Sequence, residues 1–304
     1  MSNTTDPSQA AGKSLLPGLL LASAGAIGFS GKAVIVKLAY RHGVDAVTLI
    51  MLRMLFALPI FIVMVWWSSR GKEPLTRKDW LGVCALGFTG YYLSSFLDFI
   101  GLAYISASLE RLIMYLNPTI VMLLGLVFFK RRATVRQMVG LAISYAGVVL
   151  VFGQELSLQG AHVAWGSLLV FLSAVTYSIY LVYSGELVRR LGSLRLVGLA
   201  TSVACICCLL QFALLRPLSA ALVVAPEVIW LSVLNATLCT AAPVLLVMMG
   251  VERIGASLAA QTSMIGPLST IVMGTIFLGE PFTPMVAAGT AAVLAGIFVV
   301  TGKK

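Results

Sequence analysis

Two stretches decide the fold: Gly101-Leu102-Ala103-Tyr104-Ile105-Ser106-Ala107-Ser108-Leu109 and Gly250-Val251-Glu252-Arg253-Ile254-Gly255-Ala256-Ser257-Leu258. They lie 149 residues apart and share Gly, Ile, Ala, Ser and Leu in register. The same offset pairs Pro118 with Pro267, Gly125 with Gly274, Phe128 with Phe277 and Thr134 with Thr283. It also pairs Gly140 with Gly289, Gly147 with Gly296 and Gly153 with Gly302, and matches Ala142, Ala146 and Val151 to Ala291, Ala295 and Val300. That makes 15 identities over the 53 pairs from 101 to 153, about 28%, without a gap. Apolar composition alone does not place so many glycines and prolines in register. Upstream the match is weaker, at an offset of 148, where Phe29-Ser30 faces Tyr177-Ser178.

The repeated unit is made of membrane crossings. The chain has 304 residues, a mean hydropathy of +1.00, 60% apolar residues and only 11% charged ones, where a soluble domain carries about 25% charge. So little polar surface cannot cover a water-facing sphere, which excludes a soluble enzyme, a disordered chain and a disulfide scaffold. At about 20 apolar residues per crossing, the apolar runs give ten helices, near 15–39, 46–67, 80–101, 107–129, 134–152, 163–184, 195–215, 228–250, 255–278 and 284–301. The runs are too long and too continuously apolar for the alternating strands of a barrel.

The charges test that count. Placing the N-terminus, the even-numbered connectors and the C-terminus on one side collects Lys13, Arg70, Lys72, Arg77, Lys78, Lys130, Arg131, Arg132, Arg136, Arg189, Arg190, Arg195, Arg253, Lys303 and Lys304 there, fifteen in all. The other side keeps Arg41 and Arg216, while Lys32, Lys37, Arg53 and Arg111 fall within spans. By the positive-inside rule both termini are expected in the cytoplasm. A miscounted helix would scramble this partition. The net charge of +10 is therefore read as topology and not as nucleic-acid binding. Each repeat holds five crossings, an odd number, so the second copy enters the membrane from the opposite side. The expected fold is an all-α membrane protein of ten transmembrane helices in two inverted five-helix repeats, an architecture of secondary transporters. The repeats are set at 15–153 and 161–302, after a polar cytoplasmic tail at 1–14.

With these stretches in view, the chain resembles the drug/metabolite transporter superfamily, in its EamA-type branch of ten-helix proteins. The resemblance rests on Ala24-Gly25-Ala26-Ile27-Gly28-Phe29-Ser30, on Arg53 of the second helix, and on Gly101 to Ser108 running into Asn117-Pro118. It is completed by the second copy from Gly250 to Pro267, closing with Leu278-Gly279-Glu280. The chain is also similar to the aromatic amino acid exporters of bacterial inner membranes. It departs from the pattern at Lys130-Arg131-Arg132, which replaces the glycine–glutamate ending kept by Gly279-Glu280, and at Phe29, where tryptophan is common.

Polar groups inside spans are where a site is sought, because a mid-bilayer charge costs about 2.5–3.5 kcal/mol on insertion scales. Helical spacing gathers Tyr91, Ser94/Ser95 and Asp98 on one face of the third helix, and Ser173, Tyr177, Tyr180 and Ser184 on one face of the sixth. Ser108, Arg111, Tyr115 and Pro118 share a face of the fourth. The eighth offers Asn235, Cys239 and Pro243, and the ninth Ser257, Gln261 and Met264. The substrate-cavity expectation is Phe29, Ser30, Tyr91, Ser95, Asp98, Tyr115, Tyr177, Tyr180, Asn235, Gln261 and Met264. Packing and interfacial anchoring compete with it at each serine and tyrosine. Asp98 reads either as an ion-pair partner of Lys32 or Arg53 or as a titrating group, and Glu110-Arg111 as a solvated pair near a helix start. Pro118 and Pro267, which remove a backbone hydrogen bond in mid-span, are read as hinges against the alternative of tolerated kinks. Small residues one turn apart, Gly140/Ser144/Gly147 and Ala288/Ala292/Gly296, permit close approach of a neighbouring helix or of a second protomer in a homodimer.

Cys205 and Cys208 have C-x-x-C spacing but no histidine or second pair completes a metal or redox motif. Neither H-E-x-x-H, paired aspartates nor G-x-S-x-G occurs, and His42 and His162 lie in loops. No cofactor, metal or catalytic residue is expected, so the enzyme reading is set aside. The expected partners are the lipid bilayer and a small-molecule substrate. A pocket of tyrosines, hydroxyls and amides with few fixed charges suits amino acids and related metabolites. Export, the amino-acid class and the bacterial inner membrane are what the resemblance implies. A multidrug exporter on the same scaffold and a passive metabolite channel are the alternatives.

Overall fold

The computed structural model describes residues 7–129, 134–262 and 265–301, with side-chain surroundings described from residue 16 onward except at 129, 159, 252, 255–258, 260, 261 and 300–301. Every regular element among the described residues is helical. Eight helices are long and apolar enough to cross a membrane, and two shorter apolar ones, Ile265–Leu278 and Pro284–Val299, complete ten crossings.

The first crossing, Pro7–Tyr40, starts eight residues before the limit read from the apolar run, taking in part of the expected tail. The second is Ala46–Ser69, capped by Asp45, which accepts from the Val47 and Thr48 amides. The third is Arg77–Leu102, opened by a capping box of Thr76 and Asp79. The fourth is split into Ala107–Met114 and Asn117–Phe129. Val135–Gln159, His162–Leu191 and Ser193–Leu215 are the fifth to seventh. The sixth and seventh turn about Gly192 alone, whose φ of 85° is one that side-chain-bearing residues avoid. The eighth is Pro226–Val251.

Three details differ from the sequence reading. Helical backbone continues from Ala242 to Thr262, where the first copy has a non-helical step between its third and fourth crossings. A Cβ at Gly18 would run into Ile254, and one at Gly250 into Ala22, whereas Gly266 accepts from the Ser30 hydroxyl at 2.9 Å. Travel along the first crossing therefore reverses between 254 and 266. The prolines do not kink a continuous helix either: the first half of the fourth crossing stops at Tyr115–Leu116, and Pro118 stands in the first turn of Asn117–Phe129, where its missing amide costs nothing. Pro267 sits correspondingly near the start of Ile265–Met273. Finally, the third and eighth crossings contain π-helical turns, Gly87–Leu93 and Thr237–Ala241, at positions related by the 149-residue offset. Such turns are frequent at functional sites. In the eighth, the Thr240 hydroxyl takes up the carbonyl of Asn235 at 2.8 Å.

Packing shows the inversion. The fifth and tenth crossings pack so tightly that a Cβ on Gly147 would meet the Gly289 carbonyl oxygen at 2.6 Å, and one on Gly296 the Gly140 carbonyl oxygen at 2.5 Å. Gly140 corresponds to Gly289 and Gly147 to Gly296, so the contact from i to the equivalent of j recurs from j to the equivalent of i. This reciprocity is the signature of a two-fold axis, and ascending numbers facing descending ones make the helices antiparallel. Gly101 packs on Val170 and Gly250 on Ala22, again related positions. The small-residue faces are thus consumed inside the chain. Outside, apolar side chains such as Leu20, Ile62, Val63, Leu81 and Val127 are exposed, as lipid requires. All five tryptophans are exposed at crossing ends: Trp66, Trp67 and Trp80 at the end carrying the basic connectors, Trp165 and Trp230 at the other. These are interfacial belts.

Replacing Gly296 with Val should cost about 1–3 kcal/mol by overpacking, read as a lower melting temperature in detergent. Gly153→Ala, inside the fifth crossing but with nothing within 4 Å of its Cβ, should not lower the melting temperature and should raise it slightly.

Candidate functional site

A hollow of about 380 Å³ lies between the first, second, third, fourth, sixth, seventh and eighth crossings. Its lining residues cluster near the middle of each helix: Phe29 and Lys32, Arg53 to Phe61, Gly90 to Ser95, Arg111 to Asn117, Tyr177, Thr201, and Thr240 to Val244. Both repeats contribute, and the hollow sits at half depth, where inverted-repeat transporters bind. A separate crevice of about 300 Å³ between the fourth, fifth and sixth crossings is lined by Ile113, Leu116, Val148, Leu168 and similar groups. Its polar side chains are Tyr145 and Ser167, and no charged group lines it.

Of the residues expected from sequence, Phe29, Tyr91, Ser95, Tyr115 and Tyr177 line the hollow. Ser30, Asp98, Tyr180 and Asn235 are buried behind its wall. Ser30 sits between helices, donating to the Gly266 carbonyl and accepting from Arg111 Nη2 at 3.0 Å. Tyr180 closes on Gly90 and holds Tyr91 by a hydroxyl contact of 3.3 Å, with ring centroids 5.0 Å apart. Asn235 braces the π turn through Thr240. Met264 and the side chain of Gln261 lie outside the described residues.

The largest departure concerns charge. The hollow was expected to carry few fixed charges, yet Lys32, Arg53 and Arg111 all face it. Lys32 Nζ lies 2.6 Å from Asp98 Oδ2 and 3.4 Å from Glu110 Oε1. Asp98 therefore pairs with Lys32. Glu110 is fully buried, not solvated, because it begins a helix that starts inside the bundle. One ammonium thus serves two carboxylates from different helices. Arg53 Nε donates to Thr240 Oγ1 at 3.1 Å, and its guanidinium lies 5.2 Å from the Phe99 ring centre. The signal that pointed to these cations was their placement within spans, where ionisable groups are functional by default. Asn117 entered only through the Asn117-Pro118 step of the resemblance, and Thr201 carried no signal, since isolated polar residues suit packing equally well.

Away from the basic end, a layer of contacts seals the bundle above the hollow. Lys37 Nζ donates to the Ile105 carbonyl at 2.7 Å, the Tyr40 hydroxyl to the Phe99 carbonyl, and Arg41 Nη2 to the Leu278 carbonyl at 2.6 Å. Glu280 accepts from the amides of Ala107 at 2.7 Å and Ser108 at 3.2 Å and from the Ser108 hydroxyl. Glu155 accepts from Ser106 through both its amide and its hydroxyl. Two carboxylates thereby satisfy the open amides at the start of the fourth crossing, favoured by the helix dipole. They tie the fifth crossing and the connector after the ninth to it.

The signature of the EamA-like transporter family matches residues 16–153 and again 164–302. The chain is 29% identical over 288 residues to YcbK, an uncharacterized transporter of Bacillus subtilis, covering 91% of this chain and 89% of that protein. It is 24% identical over 277 residues to an uncharacterized transporter of Archaeoglobus fulgidus, with 91% and 94% covered. A solved crystal structure superposes with a TM-score of 0.60 at 18% identity over 93% of this chain and 95% of the other, a likeness of fold alone.

Lys32→Met should leave Asp98 and Glu110 without their common cation. Breaking a buried pair on one side costs about 3–5 kcal/mol, so thermal unfolding in detergent should drop sharply. Adding Asp98→Asn to Lys32→Met should recover part of the loss. Equal stability of the wild type and the lysine variant would show that the pair holds nothing.

Proposed function

Because the chain belongs to the EamA-like transporter family, we propose that it is a secondary transporter exporting amino acids, aromatic ones included, and related small metabolites across a bacterial inner membrane. The observation that carries this reading is the hollow at half depth, built by both copies of an inverted repeat. Two nearly equivalent halves can exchange conformations, so a site between them faces either side in turn. Tyrosine rings and hydroxyls on one part of the wall and guanidinium groups on another suit a molecule with an apolar body and an acidic end. The basic end of the bundle is assigned to the cytoplasm by its charge, which puts both termini there. The sealed layer then closes the exit to the outside, the state in which an exporter loads.

Two alternatives fare less well. A multidrug exporter for lipophilic cations would have to bring them against Arg53 and Arg111, which have no carboxylate partner among the described residues. A passive channel would need a continuous path, and the contacts of Lys37, Glu155 and Glu280 interrupt it.

Counterflow in proteoliposomes with a labelled amino-acid panel tests the substrate class. Saturable exchange of at least one member above empty liposomes is expected, and none above background would refute it. The sealed layer has its own test. Glu280→Ala with Glu155→Ala should speed labelling of Ser95→Cys, in a background lacking other cysteines, by an impermeant maleimide applied from the outer side. An unchanged rate would mean that these carboxylates do not keep the exit shut.

A further inference from the structure

We propose that Arg53 and Arg111 form an anion clamp, and that the molecule it takes is an organic monocarboxylate, amino acids being held through their carboxyl end. The proposal rests on the carrier reading only for its setting; the clamp itself is a matter of charge. Both arginines line the hollow, and neither has a carboxylate partner among the described residues. Arg53 is 6% exposed, and its Nη1 is buried without a hydrogen-bond partner. Arg111 Nε is in the same condition. Their remaining contacts are neutral: Thr240 and the Phe99 ring for Arg53, Ser30 and the Tyr115 ring for Arg111. These contacts orient the groups without cancelling their charge.

Lys32 cannot be counted as a third binding cation, since Asp98 at 2.6 Å and Glu110 at 3.4 Å already occupy it. With Asp98 and Glu110 both ionised, three cations against two carboxylates leave one positive charge in excess at mid-bilayer. Any protonation of either carboxylate increases that excess. A buried charge without a counter-ion is the costly arrangement, and one monoanion removes it. Guanidinium is also the group whose paired N–H donors match a carboxylate in two-point geometry. The volume of about 380 Å³ leaves room for a body the size of an aromatic ring beside Tyr91 and Tyr177. A neutral analogue of the same shape would satisfy the packing and leave the charge standing.

The test uses the full chain in lipid nanodiscs and four acids, acetate, benzoate, phenylacetate and indole-3-acetate, each against its primary amide. Binding is read by calorimetry and by the shift in melting temperature. At least one acid should bind tenfold or more tightly than its amide. Arg53→Gln and Arg111→Gln should each abolish that preference, while Arg111→Lys retains part of it. The proposal falls if no acid outbinds its amide, or if both glutamine variants keep the wild-type preference. Should the variants fail to fold, the acid–amide pairs on the wild type decide alone. Acids that bind by charge but are not moved in proteoliposomes would sink the carrier reading and leave the clamp standing. Acids and amides moved at equal rates would do the reverse.

Discussion

Hydrocarbon offers no hydrogen bonds and no counter-ions, so every polar group carried into it must be satisfied by the chain itself. That constraint organises this protein from its outline to its interior. It makes each crossing a helix, places exposed apolar side chains outside and tryptophans at the ends, and sends charged residues inward to meet one another. Lys32, Asp98 and Glu110 come from the first, third and fourth crossings and meet only because none has an acceptable partner in lipid.

The inverted repeat converts that constraint into a working geometry. Reciprocal packing of Gly140 with Gly296 and Gly147 with Gly289 forms a close antiparallel seam at the edge of the bundle. The remaining crossings of the two copies face each other around the hollow. The π turns in the third and eighth crossings stand at matched positions on its wall. The symmetry is not complete, however. Glu280 ties down the start of the fourth crossing, while the position matched to it by the repeat is Arg131. A carboxylate can accept the open amides of a helix start and an arginine cannot. The repeat therefore does not carry into the first copy the carboxylate that Glu280 supplies in the second.

Much of this was legible beforehand. The number of crossings comes from apolar run length, because that length reports a one-dimensional requirement, the thickness of the bilayer. Glycine and proline in register exposed the repeat for a similar reason, since these residues mark backbone positions that tolerate little else. The polar stripes were only half informative. Tyr91, Tyr115 and Tyr177 reach the hollow, but Ser30, Asp98, Tyr180 and Asn235 stand one layer behind it. Helical periodicity identifies the inward face of a helix and says nothing of whether that face meets a space or another helix.

The amino-acid sequence by itself thus determined an all-helical membrane protein with ten crossings in two inverted copies, since lipid leaves no other solution for such a chain. Only the tertiary structure decided which charges are spent on each other and which remain open. That choice depends on distances between helices far apart in sequence, as between Lys32 and Asp98 or Arg53 and Thr240. Coulomb and hydrogen-bond energies vary steeply over those few ångströms, and no spacing along a single chain encodes them.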